Sequence, residues 1–399
     1  MSLDIFKEKG TPLDKQLFTW RDLVRTPTSK LDDDAFTRVR IILMNGIESN
    51  ALRTSHAMAR MMNGQFRLPL ARVRRVEHHQ QTMVNWLLPA DLSPLETTIG
   101  FEQVAIEVTA SVAQHEPDAY LAQVYRFGLL EDFDHLYRFS ALMDRVGGAD
   151  ANTIIQNYSD IMPGRPTQVE HRAPEDDLRE HYDCTTADPL TKIHAATITA
   201  GENQTHDYYM TIGPMFADPI ARQLYAEIAS IEEQHVTQYE SLMDPNETPL
   251  EKWLLHEATE VYNYYSCATY ETNPRVKQIW ERFVDYELGH LHFVMDLFQE
   301  IEKRDAAEVL PQTLPELIDY QSHRQFVRET LNNEVNLRAA GTRFINVDDE
   351  AEQAPASIAY REQMNSEGSP SEIVAAGYVW TPGTELVERK SVFAKGAGK

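Results

Sequence analysis

Two short motifs in this sequence pair a carboxylate with an imidazole one helical turn apart. Glu232 precedes His235 by three positions, and Glu287 precedes His290 by the same spacing. Apolar residues recur every three or four positions around both pairs, which predicts two amphipathic helices that turn Glu and His toward a core. Carboxylate oxygens with one imidazole per ion suit iron or manganese better than zinc or copper. The motifs therefore indicate a buried metal site.

The two motifs belong to an internal repeat. Shifting residues 201–243 forward by 55 positions superimposes carboxylates, histidines, prolines and apolar residues. The superimposed ligand-type pairs are Glu202 and Glu257, Glu232 and Glu287, and His235 and His290. Asp218-Pro219 and Asn273-Pro274 both have the form of a helix start, an N-cap followed by proline at the first helical position. Each repeat is thus predicted to be a helical hairpin with an inward Glu on its first helix and Glu-x-x-His on its second.

Two such hairpins would form a four-helix bundle. The bundle would supply one Glu from each of two helices and Glu-x-x-His from each of the other two, which is the ligand set of carboxylate-bridged dimetal bundles. The predicted ligands are Glu202, Glu232, His235, Glu257, Glu287 and His290. Burying these carboxylates without cations is very costly unless they are protonated, whereas divalent cations neutralise them. We therefore expect two Fe ions, or alternatively two Mn ions; buried acids that satisfy one another are the competing interpretation.

The paired motifs resemble those of the ferritin-like superfamily, and within it the rubrerythrin-like and bacterioferritin-like di-iron carboxylate proteins. The resemblance covers residues 188–303. It implies bridging carboxylates, one histidine for each metal, and terminal carboxylate ligands. The implied roles fall on Glu232 and Glu287 as bridges, His235 and His290 as the histidines, and Glu202 and Glu257 as terminal ligands.

Glu260 lies one turn beyond Glu257, where rubrerythrins similarly carry an extra glutamate. The resemblance implies that Glu260 is a redox-dependent alternate metal ligand; a solvated residue on the helix surface is the competing interpretation. The sequence departs from full-length rubrerythrin because it lacks the paired Cys-x-x-Cys motifs of the rubredoxin module. The electron donor is therefore unknown.

The repeat extends upstream of these hairpins. Shifting residues 102–143 forward by 100 positions again superimposes ligand-type residues. The pairs are Glu102 and Glu202, Asp132 and Glu232, and His135 and His235. Ser93 and Thr248, each followed by Pro-Leu-Glu, both predict a capping box with proline at the first helical position. Residues 102–143 should therefore belong to the latter half of a second bundle.

Residues 34–90 would form the first half of that N-terminal bundle. Glu48 and Glu77 lie on its predicted inward faces, and Gln80 takes the position of a second histidine. The candidate ligands of this weaker site are Glu48, Glu77, Glu102, Asp132 and His135. Three interpretations remain: a degenerate structural bundle, which we favour; a mononuclear or weaker metal site; and a dimetal site that is completed by His56 or His79.

The predicted fold class is all-α, with two tandem ferritin-like four-helix bundles. The bundles span residues 34–145 and 188–303, and a linker rich in glycine, proline and charge joins them at residues 146–187. Helical periodicity dominates both spans, whereas alternating apolar patterns typical of strands are scarce. The chain would then be a tandem duplication in which one half works.

Residues 304–399 form a predicted C-terminal helix and an extended tail. Thr313 and Glu316 have the spacing of a capping box at the start of that helix. The stretches NVDDEAEQAPAS and NSEGSPSE predict loops or disorder, and SVFAKGAGK predicts a flexible tail. Such an arm could embrace a partner subunit in a homodimer.

Composition excludes several classes of function. Acidic residues number 62 against 37 basic ones, and the net charge of −25 disfavours binding to nucleic acid or an anionic membrane surface. Two cysteines, Cys184 and Cys267, exclude a disulfide framework and four-cysteine metal modules. The sequence shows neither a signal-peptide pattern nor an apolar run long enough to cross a bilayer. We therefore expect a cytoplasmic location.

A dimetal carboxylate site of this kind predicts redox chemistry. Two ions with open coordination positions can deliver two electrons to dioxygen or peroxide. We expect a di-iron oxidoreductase of the peroxidase or oxidase type, without catalytic residues beyond the metal ligands. A manganese catalase and a substrate oxygenase are related alternatives. A non-catalytic iron-binding protein or a purely structural bundle is the alternative of another class.

Overall fold

Eight long helices form the body of the protein in a computed structural model that describes residues 3–380. In chain order they are α1 (Ala35–Met61), α2 (Arg67–Asn85), α3 (Pro94–His115), α4 (Ala119–Gly147), α5 (Pro189–Ile212), α6 (Pro219–Glu240), α7 (Pro249–Tyr270) and α8 (Pro274–Ile301). Each odd-numbered helix packs against the next helix as a hairpin. The predicted all-α class is confirmed, because the described residues contain only one small sheet, the antiparallel pair Leu337–Ala340 (β1) and Arg343–Asn346 (β2).

Local signals set the helix starts as the sequence predicts. Ser93 and Thr248 each form a capping box with the glutamate three residues later. Asp218 and Asn273 accept hydrogen bonds from backbone N–H groups of the first turn, and proline occupies the first helical position after each. These caps satisfy N–H groups that have no partner within the helix. They thereby fix where each helix begins.

The four hairpins pair in a nested order. The α3–α4 hairpin faces the α5–α6 hairpin, because Tyr209 of α5 donates to Glu102 of α3 and His135 of α4 lies 3.1 Å from Glu232 of α6. We call these four helices the inner bundle. The α1–α2 hairpin faces the α7–α8 hairpin, because Gln80 of α2 donates to the carboxylate of Glu287 on α8. We call these four helices the outer bundle.

This pairing corrects the predicted tandem arrangement. Residues 34–145 do not close on themselves around a site, and neither do residues 188–303; each span contributes one hairpin to each bundle. The first helices of the hairpins join the two bundles, since α1 contacts α3, α5 and α7. Arg40 of α1 also forms a buried ion pair of 2.8 Å with Glu271 in the α7–α8 turn. The physical reason for the difference is that the hairpins carry equivalent inward faces, so periodicity does not distinguish one partner from another.

Residues 146–187 are a packed cover on the inner bundle. Asp134 of α4 accepts hydrogen bonds from the backbone N–H groups of Gly164 at 3.0 Å and Thr167 at 2.8 Å. Arg165 and Arg172 of the same segment are buried. The segment that composition marks as a linker or an excursion therefore contributes buried charged groups to the core. Short helices at Asn152–Ile155 and Pro174–Asp177 interrupt it.

The C-terminal segment differs from its prediction. The helix expected after Thr313 begins only at Arg324 and ends at Glu334. Thr313 instead pairs with Asp4 in an isolated β-bridge, and the buried side chain of Ile318 anchors the extended run that follows.

Two stretches expected to be loops or disorder contain helix. A 3-10 helix, Val347–Glu352, and the start of the helix Pro355–Met364 fall in NVDDEAEQAPAS, and the helix Pro370–Ala375 starts in NSEGSPSE. The tail SVFAKGAGK lies outside the described residues. Among residues 3–380, no helix combines the length and apolarity that a transmembrane span requires.

Candidate metal centres

Carboxylate and imidazole groups from all four helices of the inner bundle converge at its centre. They are Glu102 of α3, Asp132 and His135 of α4, Glu202 of α5, and Glu232 and His235 of α6, and all are buried. Their donor atoms form two groups within which all atoms lie less than 4.8 Å apart: Asp132, Glu202, Glu232 and His235 in one, and Glu102, His135 and Glu232 in the other. Glu232 belongs to both groups, which is the position of a bridging carboxylate. We call this cluster the inner site.

The two histidines of the inner site present the same ring nitrogen to its centre. The Nδ1 atom of His135 lies 3.1 Å from Glu232 Oε1. The Nδ1 atom of His235 lies 3.3 Å from Asp132 Oδ1 and 3.4 Å from Glu232 Oε2. The two Nε2 atoms point away from the centre, toward Glu170 at 3.0 Å and Glu131 at 2.7 Å. In metal sites, the histidine nitrogen that does not bind the metal typically donates its N–H to a carboxylate, which fixes the ring and its tautomer.

Two buried arginines hold the carboxylate behind His235. Arg172 contacts both oxygens of Glu131, at 2.7 and 3.1 Å, and Arg165 lies 3.3 Å from one of them. The Nε atom of Arg172 also contacts Asp177 at 2.8 Å. The sequence interpretation missed Glu131, Glu170 and these arginines. Glu131 directly precedes Asp132, and this adjacency of two acids before His135 is the one signal that could have indicated it.

The inner site contains many buried polar atoms without partners. Both oxygens of Asp132, one oxygen each of Glu102, Glu202 and Glu232, and Nδ1 of His235 have no hydrogen-bond partner among the described residues. Buried polar atoms in proteins are nearly always paired, and unpaired ones cost about 1 to 3 kcal/mol each. These atoms face one another around a common centre. The donor set therefore fits two divalent cations that prefer oxygen and imidazole ligands.

Electrostatics shows that the acids of the inner site are costly to ionise without nearby positive charge. Burial raises the pKa of Glu102 and of Glu202 well above the usual range, and the charge of Glu232 raises both further. Burial alone would lower the pKa of His135, but Glu170 and Glu232 raise it well above its usual value. Burial opposes ionisation of Glu232, yet the adjacent rings of His135 and His235 lower its pKa. The acids thus need compensating positive charge, which either protons or cations provide.

The outer bundle contains a second cluster of buried polar groups. Its polar groups are Glu48 of α1, Glu77 and Gln80 of α2, Glu257 and Glu260 of α7, and Glu287 and His290 of α8, and all are buried. Two groups of donor atoms, Glu77 with Glu257 and His290, and Glu257 with Glu260 and Glu287, again fit within 4.8 Å and share one carboxylate. Gln80 occupies the position of the second histidine and donates to Glu48 at 3.3 Å and to Glu287. We call this cluster the outer site.

Glu260 is part of the outer site. Its side chain is fully buried, and neither of its carboxylate oxygens has a hydrogen-bond partner among the described residues. The interpretation of Glu260 as a solvated surface residue is therefore wrong. Burial raises the pKa of Glu260 well above its usual value, and the charges of Glu287 and Glu77 raise it further. Burial likewise raises the pKa of Glu77 to about 8.

The N-terminal segment supports the histidine of the outer site. The Nδ1 atom of His290 lies 2.9 Å from Glu287, and its Nε2 atom lies 2.7 Å from the amide oxygen of Gln16. Gln16 is itself fixed because its amide nitrogen donates to the carbonyls of Thr11 and Tyr286, both at 2.8 Å. Gln16 thus orients His290 as Glu131 orients His235. The sequence interpretation missed it because a single Gln in an irregular segment carries no periodic signal.

One tyrosine links the two hairpins at each site. Tyr209 of α5 donates its hydroxyl hydrogen to Glu102 of α3, and Tyr264 of α7 donates to Glu48 of α1. The two tyrosines occupy equivalent positions in the 55-residue repeat. Both hydroxyls are buried, and burial raises the pKa of each well above its usual value. Each tyrosine therefore remains a hydrogen-bond donor to a carboxylate of its site.

The structure redistributes the predicted ligands between two sites. Glu202, Glu232 and His235 were expected to face the second hairpin of residues 188–303, but they face Glu102, Asp132 and His135. The residues assigned to the weaker site are divided in the same way, since Glu48 and Glu77 join the outer site.

The two histidines proposed to complete a site do not enter either cluster. His56 is exposed, and the ring of His79 packs against Phe18 with centroids 5.3 Å apart. Comparisons with protein-family models, with curated proteins and with solved structures found no match. Function is therefore inferred from the two sites themselves.

Replacing Gly289 by alanine should destabilise the protein and loosen the support of the outer site. Residues 9–16 cross α8 at Gly289, where an added Cβ would overlap the carbonyl of Thr11. We expect a loss of about 1 to 3 kcal/mol in the free energy of unfolding, because neither backbone can move without breaking contacts. Urea unfolding measures the loss, and limited proteolysis should show earlier cleavage near Thr11.

Gly201→Ala is the matched control for this prediction. Gly201 also lies inside a long helix, but an added Cβ there meets no atom within 4 Å. Helix propensity should then stabilise the variant by up to about 1 kcal/mol. Equal effects of the two substitutions would contradict the close crossing at Gly289.

Proposed function

We propose that this protein is a ferritin-like dimetal-carboxylate oxidoreductase that reacts with peroxide or dioxygen. The observation that carries the proposal is the arrangement of the inner site. Both histidines turn Nδ1 toward carboxylates that have at least one oxygen without a hydrogen-bond partner, while both Nε2 atoms are held by the carboxylates of Glu131 and Glu170. Two iron ions are the proposed occupants, with manganese as the alternative metal.

Each residue of the inner site has its own proposed role in binding two ions. Glu232 would bridge them because its oxygens belong to both groups of donor atoms. His135 and His235 would each bind one ion through Nδ1, and Glu102, Asp132 and Glu202 would complete the ligand set. When bound, the two ions supply two-electron redox chemistry toward dioxygen or peroxide.

The surrounding residues fix the geometry and charge of the inner site. Tyr209 donates a hydrogen bond to Glu102 and so orients one of its oxygens. Arg172 pairs with Glu131 and neutralises its charge. Glu131 also accepts the Nε2–H group of His235. The polar groups of the inner site are themselves buried, so water has little direct access to them.

The outer site has a different ligand set and a different proposed occupancy. Its groups of donor atoms contain a single histidine, since Gln80 stands where the second was expected, and they include Glu260. We propose that it binds metal more weakly, through Glu77, Glu257 and His290 with Glu260 and Glu287 adjacent.

Elemental analysis of wild type beside Glu232→Ala tests the proposal. We expect about two Fe or Mn ions per chain from the inner site. Glu232→Ala should lose them because it removes the shared ligand. Glu233→Ala is the matched control, since Glu233 is the neighbouring residue but is exposed, and it should keep wild-type metal content. Equal metal content in all three proteins, or none after anaerobic Fe(II) loading, would overturn the inner site as a metal centre.

Peroxide consumption separates an oxidoreductase from a storage protein. The metal-loaded wild type and Glu233→Ala should consume hydrogen peroxide in the presence of a reductant, whereas Glu232→Ala should not. A protein that binds metal and consumes neither peroxide nor dioxygen would instead support the non-catalytic alternative.

A further inference from the structure

A cavity of about 880 Å³ lies on the surface of the outer bundle, between the N-terminal segment, α2 and α8. Its apolar wall includes Leu13, Leu68 and Phe293. Gly289, which directly precedes His290 of the outer site, also lines it. The volume falls within the range of pockets that bind small organic molecules, roughly 300 to 1,000 Å³. The cavity is therefore large enough for a ligand, and one wall belongs to the helix that carries His290.

Basic side chains line the same cavity without acidic partners. Lys9, Arg72 and Arg75 all face it, and none of them forms an ion pair with a carboxylate among residues 3–380. Two acids, Asp14 and Asp296, also line the cavity, and Asp14 lies 3.3 Å from Lys15. The local charge is thus positive on a chain whose net charge is −25.

The positive charge continues along the exposed side of α2. A second cavity of about 240 Å³ is lined by Arg74, His56 and His78. Ala71 and Arg75 line both cavities, so the two meet on α2. The only acidic residue of α2 is Glu77, which is buried in the outer site. We call the two joined cavities the groove. Arginines that lack acidic partners and are concentrated at one groove of an acidic protein indicate an anionic ligand.

We propose that this groove binds a small amphipathic carboxylate, an apolar molecule that carries one carboxylate group. The wall formed by Leu13, Leu68 and Phe293 would take the apolar part. Arg72 and Arg75 would bind the carboxylate, because the planar guanidinium group matches its two oxygens. The proposal goes beyond the redox function, since it assigns a ligand class that needs no metal for binding.

Isothermal titration calorimetry with decanoate tests this proposal on the full chain as purified. We expect saturable binding of decanoate and binding of decanol that is weaker by about tenfold or more, because decanol lacks the charged group. The double variant Arg72→Gln/Arg75→Gln should weaken decanoate binding by about tenfold or more for the same reason. Arg60→Gln is the matched control, because Arg60 is exposed on α1 and lines neither cavity; it should bind as wild type does.

A second variant tests the apolar wall independently of the arginines. Leu68 is 60% exposed, so Leu68→Glu should fold normally while placing a negative charge in the groove. It should also weaken decanoate binding by about tenfold or more, through repulsion of the ligand carboxylate. Circular dichroism and metal content of each variant identify any loss that is due to unfolding.

Three outcomes would overturn the proposal. They are the absence of saturable decanoate binding, equal affinity for decanoate and decanol, and unchanged affinity in both groove variants. If an acidic peptide bound and decanoate did not, the groove would be a protein-docking surface instead. None of these outcomes affects the metal analysis of the inner site, so failure here is distinguishable from failure of the proposed redox function.

Discussion

His135→Ala should remove as much metal from the protein as His235→Ala, although the two histidines stand 100 positions apart in the sequence. Each histidine turns Nδ1 toward Glu232, and their rings lie 6.0 Å apart between centroids. Loss of either ligand opens one ion position and leaves Glu232 without one of its two histidine neighbours. We expect each single variant to lose most of the roughly two ions of the inner site.

Metal content in double variants tests whether the hairpins pair in the nested order. His135→Ala/His235→Ala should lose no more metal than either single variant, because both residues serve the same pair of ions. His290→Ala should instead add its own loss to that of His235→Ala, since it belongs to the outer site. Metal content per chain by elemental analysis, with His181→Ala as a half-exposed control, measures all of these effects. If His235→Ala and His290→Ala removed the same ions while His135→Ala removed none, the tandem pairing would be correct.

Arg172→Met should cost about 3 to 5 kcal/mol in the free energy of unfolding, because it leaves buried carboxylates without their main cation. Arg172 binds Glu131 through two nitrogens and Asp177 through a third, and all three residues are buried. Arg165 at 3.3 Å cannot replace the bidentate contact with Glu131. The shift of the urea unfolding midpoint, measured on metal-free protein, reports the loss.

Arg343→Met provides the matched control for this effect. Arg343 also pairs with a glutamate, Glu352, at 3.3 Å, but both side chains are more than half exposed. Exposed ion pairs contribute less than about 1 kcal/mol.

Arg172→Met should in addition weaken metal binding at the inner site by about 10-fold to 100-fold, because Glu131 would no longer orient His235 reliably. Equal effects of the two substitutions would contradict a supporting role for Arg172.

The sequence predicts which polar residues face the core much better than it predicts which residues they face. Glu232 and His235 are recognisable because a spacing of three places both on one face of a helix. The hairpin caps at Asp218 and Asn273 are recognisable for similar local reasons, and both are confirmed. Local rules of this kind act within a few residues. They therefore identify the helices and their inward residues without a reference to any other part of the chain.

The pairing of hairpins depends on contacts between distant segments, and periodicity does not encode them. Each hairpin presents a carboxylate on its first helix and another on its second, so any two could in principle face each other. The charged residues of segment 146–187 and the lone Gln16 contact the histidines through irregular backbone. Irregular segments have no repeat that would fix the direction of a side chain, so the composition of residues 146–187 predicts only a linker.

The nested pairing imposes an order of assembly on a chain that is synthesised from its N-terminus. All helices of the inner bundle lie between residues 94 and 240, so its ligands are present before α7 and α8 have been made. The α1–α2 hairpin is made first, yet it must wait for α7 and α8 before Tyr264 can reach Glu48 and His290 can reach Glu77. Closing so long a loop is slow, and an unpartnered hairpin with exposed apolar surface is prone to misassembly. Newly made chains should thus complete the inner site first and depend on late closure of the outer bundle for solubility.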